Sequence, residues 1–131
     1  MREYQTVKNN AYHLPHNLYM QVLYIIRDYD RLKEEYTAIL ESGSAPGYVI
    51  APRGGGAPSS PTEVKAMLLA GISTEMHAVE QALLDIAEEY RKPLLLNIKY
   101  RIPYPSWAHY NTWRSQRYKF TYGVAKRLDL A

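Results

Sequence analysis

Apolar residues recur along the first third of this chain at alternating spacings of four and three: Leu18, Val22, Ile25, Tyr29, Leu32, Tyr36 and Ile39. A 3.5-residue repeat of this kind is the seam of helix-on-helix packing. It predicts a long first helix over 15–42, with Leu23, Ile26 and Leu40 widening the stripe and Arg27, Asp28, Arg31, Lys33, Glu34 and Glu35 on the wet face. Pro15 suits a first helical turn, where its missing N–H would have no partner anyway, and Ser42-Gly43 suits a C-terminus. A second seam follows at Ile72, Met76, Val79, Leu83, Ile86 and Tyr90, led in by Val64 and Leu68. Its start is marked by Ser60-Pro61-Thr62-Glu63, a capping serine, a proline at the first helical position and a glutamate three residues after the cap. This predicts a second helix over 61–91. Gly71, inside it, costs about 1 kcal/mol relative to Ala and reads as room for a close crossing with the first helix. Two seams of equal period are buried most economically as an antiparallel hairpin.

The segments around the hairpin are shorter. The first fourteen residues show no period and read as an arm able to pack on the body. Residues 43–60, rich in Gly, Pro and Ser, lose too much entropy on ordering to form regular structure and read as a flexible linker. Arg53 there stands beside three glycines, but the Gly-Lys-Ser/Thr ending and preceding strand of a phosphate-binding loop are missing. Pro93 begins a predicted short helix to about Arg101, apolar at Leu94, Leu95, Leu96 and Ile98, and ended by Pro103 and Pro105. A last helix then starts at Ser106 or at Asn111, either of which can cap it. Trp113, Phe120, Val124 and Leu128 mark its buried side, with Tyr110 and Arg117 beside them. Arg114, Ser115, Tyr118, Lys119, Tyr122 and Lys126 fall opposite. The expectation is one all-α domain over 1–131: a long antiparallel helical hairpin, a short helix and a basic C-terminal helix.

Composition narrows what such a domain does. A chain of 131 residues suits a single domain and can bury a core without cross-links. It has no cysteine, which excludes disulfides and thiolate metal sites. No secretory run and no stretch near the roughly 18 apolar residues of a membrane span occurs. The expectation is a soluble intracellular protein with no membrane partner. Thirteen tyrosines against one phenylalanine favour half-exposed positions and interfaces, which hints at a homo-oligomer through the long helices.

Catalytic patterns are missing. His13 and His16 straddle Pro15 with no acidic partner repeated nearby. Glu34–Glu35 and Glu88–Glu89 are adjacent on helices, where neighbours do not face each other. No serine has a base and oxyanion setting, and dinucleotide and zinc-finger signatures are absent. We expect no enzyme, no cofactor and no small-molecule substrate.

Charge points elsewhere. Residues 97–131 hold Lys99, Arg101, Arg114, Arg117, Lys119, Lys126 and Arg127 against Asp129, a net +6, while the other 96 residues sum to −3. A basic end on a mildly acidic body suggests a polyanionic partner. Within the last helix, Asn111, Thr112, Arg114, Ser115, Gln116, Arg117 and Lys119 are of the types that read base edges and phosphates in a major groove, with Lys126 further along. A solvated polar face fits the same composition equally well.

Three stretches carry a resemblance. They are Ile26-Arg27-Asp28-Tyr29-Asp30-Arg31-Leu32-Lys33, then Pro52-Arg53-Gly54 with Ser60-Pro61-Thr62, and finally Thr112-Trp113-Arg114 with Phe120 and Val124-Ala125-Lys126-Arg127-Leu128. Over most of residues 15–130 the chain resembles phage transcriptional activators of the RinA and ArpU type, with Asp129 where that family usually has glycine. The resemblance implies a phage or prophage DNA-binding transcriptional regulator in a bacterial cytoplasm, with a C-terminal helix-turn-helix whose recognition helix maps to about Asn111–Leu128. Its alternative is a non-enzymatic helical assembly protein that does not contact nucleic acid. In one respect the chain departs from the family. Two prolines within residues 102–110 leave little room for the helix that normally precedes the turn, so the motif reads as degenerate, with Pro93–Arg101 standing in.

Overall fold

The computed structural model describes residues 11–41 and 61–131. The predicted linker over 43–60 and most of the predicted N-terminal arm lie outside the described residues. The described chain is all-α, with five helices and no strand: α1 (His16–Arg27), α2 (Tyr29–Glu41), α3 (Pro61–Leu84), α4 (Glu88–Tyr100) and α5 (Tyr110–Arg127). No described helix is long and apolar enough to cross a membrane.

The predicted first helix is interrupted at Asp28. The interruption separates two packing partners, since α1 lies on α4 and α5 whereas α2 lies on α3. In α1 the buried residues are Tyr19, Val22, Leu23 and Ile26, a stripe turned by about one position from the predicted seam. Asp28 bonds Arg31 through both carboxylate oxygens, and this contact, chiefly its hydrogen bond, holds the carboxyl below its ordinary pKa. Along α2, Leu32 and Ile39 are buried, whereas Leu40 stands out in solvent. Helices α2 and α3 run antiparallel, as two contacts show. Tyr29 donates to Glu80 at 2.6 Å near one end, and Lys65 reaches the Leu40 carbonyl at 3.1 Å near the other. Burial, reinforced by Glu80, pushes the Tyr29 phenol pKa up.

The second predicted helix also divides. It stops at Leu84, and α4 begins at Glu88, five residues before Pro93. Glu88 and Glu89 in its first turn complement the helix dipole, a signal outweighed in the sequence by the proline. Arg91 folds the corner by donating to the Ile86 and Leu84 carbonyls at 2.8 and 3.2 Å, and Ile86 is driven into the core beneath it. The start of α5 is set by neither Ser106 nor Asn111. His109 is the cap, its Nδ1 accepting the Asn111 N–H at 3.0 Å.

The core gathers Leu14, Tyr19, Val22, Leu23 and Ile26 with Val79, Ala82, Ile86, Leu94, Ile98, Trp113, Phe120 and Val124. All the fully buried residues of α3 lie in the C-terminal part of that helix, at Met76, Ala78, Val79 and Ala82. Gly71 does not serve a crossing: a Cβ built there meets nothing within 4 Å. The close approach is at Gly123 in α5, where a Cβ would come within 3.2 Å of the Ala82 Cβ. Gly71→Ala should therefore raise stability by about 0.5–1 kcal/mol through helix propensity alone. Gly123→Val should lower it by about 1–3 kcal/mol through overpacking. Urea unfolding of both variants checks the pair, and equal effects at the two sites would contradict this assignment of the crossing.

Candidate nucleic-acid interface

The last helix turns Trp113, Arg117, Tyr118, Phe120, Thr121, Val124 and Ala125 inward. Two placements differ from the sequence expectation. Tyr118, expected on the outer side, is buried, and Tyr110, expected beside the buried stripe, is largely exposed.

The larger correction is Arg117. It is 4% exposed and cannot reach a phosphate or a base edge. Its Nε donates to the Tyr19 hydroxyl and its Nη1 to the Asn97 Oδ1, both at 2.7 Å. Asn97 in turn donates to the Ile102 carbonyl at 2.9 Å. Burial works against the guanidinium charge, but the phenol oxygens of Tyr19 and Tyr104 outweigh it and hold the pKa above its ordinary value. Burial likewise raises the Tyr104 phenol. One side chain thus ties α1, α4, α5 and the 101–109 connection together. A signal for this exists in the sequence, because Arg117 lies four residues from Trp113 and three from Phe120, on the apolar side.

The other expected contact residues divide by exposure. Asn111, Ser115, Lys119 and Lys126 are exposed, and Thr112, Arg114 and Gln116 are half-buried. Asn111, Ser115, Lys119 and Lys126 fall at helical spacing along one outer face of α5. Arg114 leans over the Tyr110 ring, 5.9 Å from its centroid. The Tyr12 ring lies 5.6 Å from that of Tyr122, beside the same face. Between Tyr90 and Leu128 the chain carries nine Lys and Arg and no Asp or Glu. Several of those cations are engaged elsewhere. Lys99 pairs with Asp30 at 3.0 Å, and Arg127 with Asp85 at 2.7 Å.

The connection before α5 is aromatic, and no periodicity in the sequence announces it. Tyr104 stacks on Trp113 at 5.2 Å, and Trp107 meets Trp113 edge-on at 4.9 Å. Trp113 is pinned by donating its indole N–H to the Pro105 carbonyl at 3.0 Å. Beside these rings lies a cleft of about 500 Å³ lined by Arg101, Pro103, Tyr104, Ser106 and Tyr110 among others. Among the described residues no three metal-ligating side chains come together. No protein-family model matches the chain, and no curated protein or solved structure matches it either.

Arg117→Ala would leave two neutral groups, the Asn97 carbonyl oxygen and the Tyr19 hydroxyl, buried without that partner, so it should cost about 1–3 kcal/mol for each. Lys119→Ala should stay within about 0.5 kcal/mol, as ordinary surface changes do. Chemical denaturation of both variants decides this, and a near-neutral Arg117→Ala would contradict the buried role.

Proposed function

We propose that the protein binds nucleic acid through the outer face of α5, as a DNA-binding regulator of phage or prophage origin. The supporting observation is that an exposed row of Asn111, Ser115, Lys119 and Lys126, flanked by Arg114, lies in a tract with no acidic residue. Such a row suits phosphate contact and allows hydrogen bonding to base edges. The 13-residue α4 supplies a full helix before α5, longer than the sequence led us to expect, although nine residues separate the two. The resemblance to RinA- and ArpU-type activators points the same way.

A second reading, a helical assembly protein, has its own support. The N-terminal half of α3 packs on α2 but leaves Met67 59% and Leu40 52% exposed, with Leu68, Leu69 and Ile72 half-buried. Two helices alone seldom bury such a face, and a bundle made with a second copy would. Pairing through this face fits either reading, since many regulators bind DNA as dimers; the second reading differs in having no nucleic-acid contact.

Duplex binding followed by fluorescence anisotropy should weaken steeply with salt. Arg114→Glu with Lys119→Glu should abolish it and leave folding intact. Removing either residue by an alanine change should reduce the salt slope by about 1. No binding to duplex or single strand at low salt would overturn the nucleic-acid reading. Light scattering on Met67→Glu tests the other surface, where conversion of an oligomer to a monomer is the expected result.

A further inference from the structure

The connection 101–109 does more than join two helices. Trp107 and Tyr110 are 56% and 54% exposed, although burial of large aromatic rings is worth several kcal/mol in general. Each is braced from behind: Trp107 by Trp113 and Tyr90, and Tyr110 by Tyr104 at 6.2 Å. Pro103 and Pro105 stiffen the backbone that carries them. A ring held rigid with one side in water is a stacking platform. The cleft beside Tyr104 and Tyr110, at about 500 Å³, falls within the range of roughly 300–1,000 Å³ typical of small-ligand sites. Ser106 on its wall offers a donor to a base edge, and Arg101 adds positive charge to the same wall. Arg101 sits in the left-handed region at φ 58° as the C-cap of α4, which fixes its backbone at the cleft. Arg114 lies over Tyr110, and no carboxylate side chain occurs between Glu89 and Asp129 in sequence. Aromatic rings interleaved with cations suit a polyanion whose units have flat faces, and suit an acidic or neutral peptide less well.

We propose that this cleft and its two exposed rings take unpaired nucleotides, one base entering beside Tyr104 and Tyr110 and another stacking on Trp107, so that the protein prefers single-stranded DNA to duplex. The inference rests on the nucleic-acid reading above and adds a second, non-electrostatic contact to it. Stacking tolerates any base, because every base has a π-face, so the preference is for strandedness and not for sequence. The outer face of α5 holds the backbone, and the connection senses whether bases are free.

Trp107 makes the test direct, since the chain has two tryptophans and the other, Trp113, is fully buried. The full-length protein is titrated with a 12-mer of oligo(dT) and with the matching dT·dA duplex, following tryptophan emission and anisotropy of labelled DNA. The single strand should quench emission, and Trp107→Phe should abolish that quenching while circular dichroism stays unchanged. Trp107→Ala and Tyr110→Ala should each weaken oligo(dT) binding by about fivefold or more and leave duplex affinity within twofold. Wild-type oligo(dT) affinity in both alanine variants, or equal losses on single strand and duplex, would overturn the proposal while leaving duplex binding by α5 standing. Absence of binding to either DNA would overturn both readings; where both DNAs bind, Lys119→Glu should weaken both alike, which separates the α5 contact from the stacking contact.

Discussion

A buried guanidinium organises this fold. Arg117 has to find oxygen acceptors inside the protein, because an arginine is seldom buried without partners. Tyr19 brings α1 to it, Asn97 brings α4, and Tyr104 brings the connection. Asn97 then uses its amide N–H on the Ile102 carbonyl, so the same network that fixes the helices also fixes where the connection leaves α4. The rotation of α5 follows. With Arg117 facing inward beside Trp113 and Phe120, the positions two residues to either side, Ser115 and Lys119, must face outward at 100° per residue. The exposed row of α5 is thus a geometric consequence of the buried one.

The rest of the molecule is tied less tightly. Outside that network, α2 and the first half of α3 hold each other through Leu32 and Ile39, and through polar contacts such as Tyr29 to Glu80 and Lys65 to Leu40. This pair therefore has the lower density of buried apolar contacts, and local opening is easiest in such regions. The interruption at Asp28 is where the chain passes from one regime to the other. On its α2 side, Lys99 anchors the junction by pairing with Asp30 and lying 5.2 Å from the Tyr29 ring centroid. On its α1 side, Arg27 does so by donating to the Ile98 carbonyl at 2.8 Å.

Periodicity by itself makes the helical class and much of the core legible. Spacing assigns Val22, Ile39, Met76, Val79, Trp113, Phe120 and Val124 to buried sides, and all are buried. What spacing does not reveal is a change of partner. The 3.5-residue seam runs unbroken through Ile25, Tyr29 and Leu32, yet the helices it faces change at Asp28, a tertiary fact with no local signature. Pro93 misleads in the opposite sense. A proline is strongly favoured at a helix start, but here the acidic pair Glu88–Glu89 and the Arg91 corner begin α4 earlier, and the missing Pro93 N–H is tolerated inside it. Among the site residues, charge type argues for Arg117 at the surface and helical phase argues against it, and phase prevails. His109 is hard to read as a cap because an imidazole seldom serves as one. The ring cluster of the connection has no signature in the sequence, because its members meet across a non-helical segment with no period.

The fate of the basic residues bears on how any nucleic acid is held. Of the nine cations between Tyr90 and Leu128, Arg117 is buried, Arg91 is spent on the Ile86 and Leu84 carbonyls, and Lys99 and Arg127 pair with Asp30 and Asp85. The charge offered to a partner is therefore well below the net +6 of residues 97–131. Arg114, Lys119 and Lys126 on α5 would neutralise about three phosphates, for a salt slope near −3 on duplex DNA. So few contacts give weak binding for a single chain at physiological salt. Useful affinity then has to come from something other than charge. Stacking on the connection, as proposed, would add a term that salt does not screen. Pairing of two chains through the exposed side of α2 and α3 would present two basic faces at once and multiply their affinities through effective concentration. On the proposed readings, the α2–α3 pair and the aromatic connection would answer one physical problem, that of a small domain which commits four of the nine cations in this tract to contacts within its own fold.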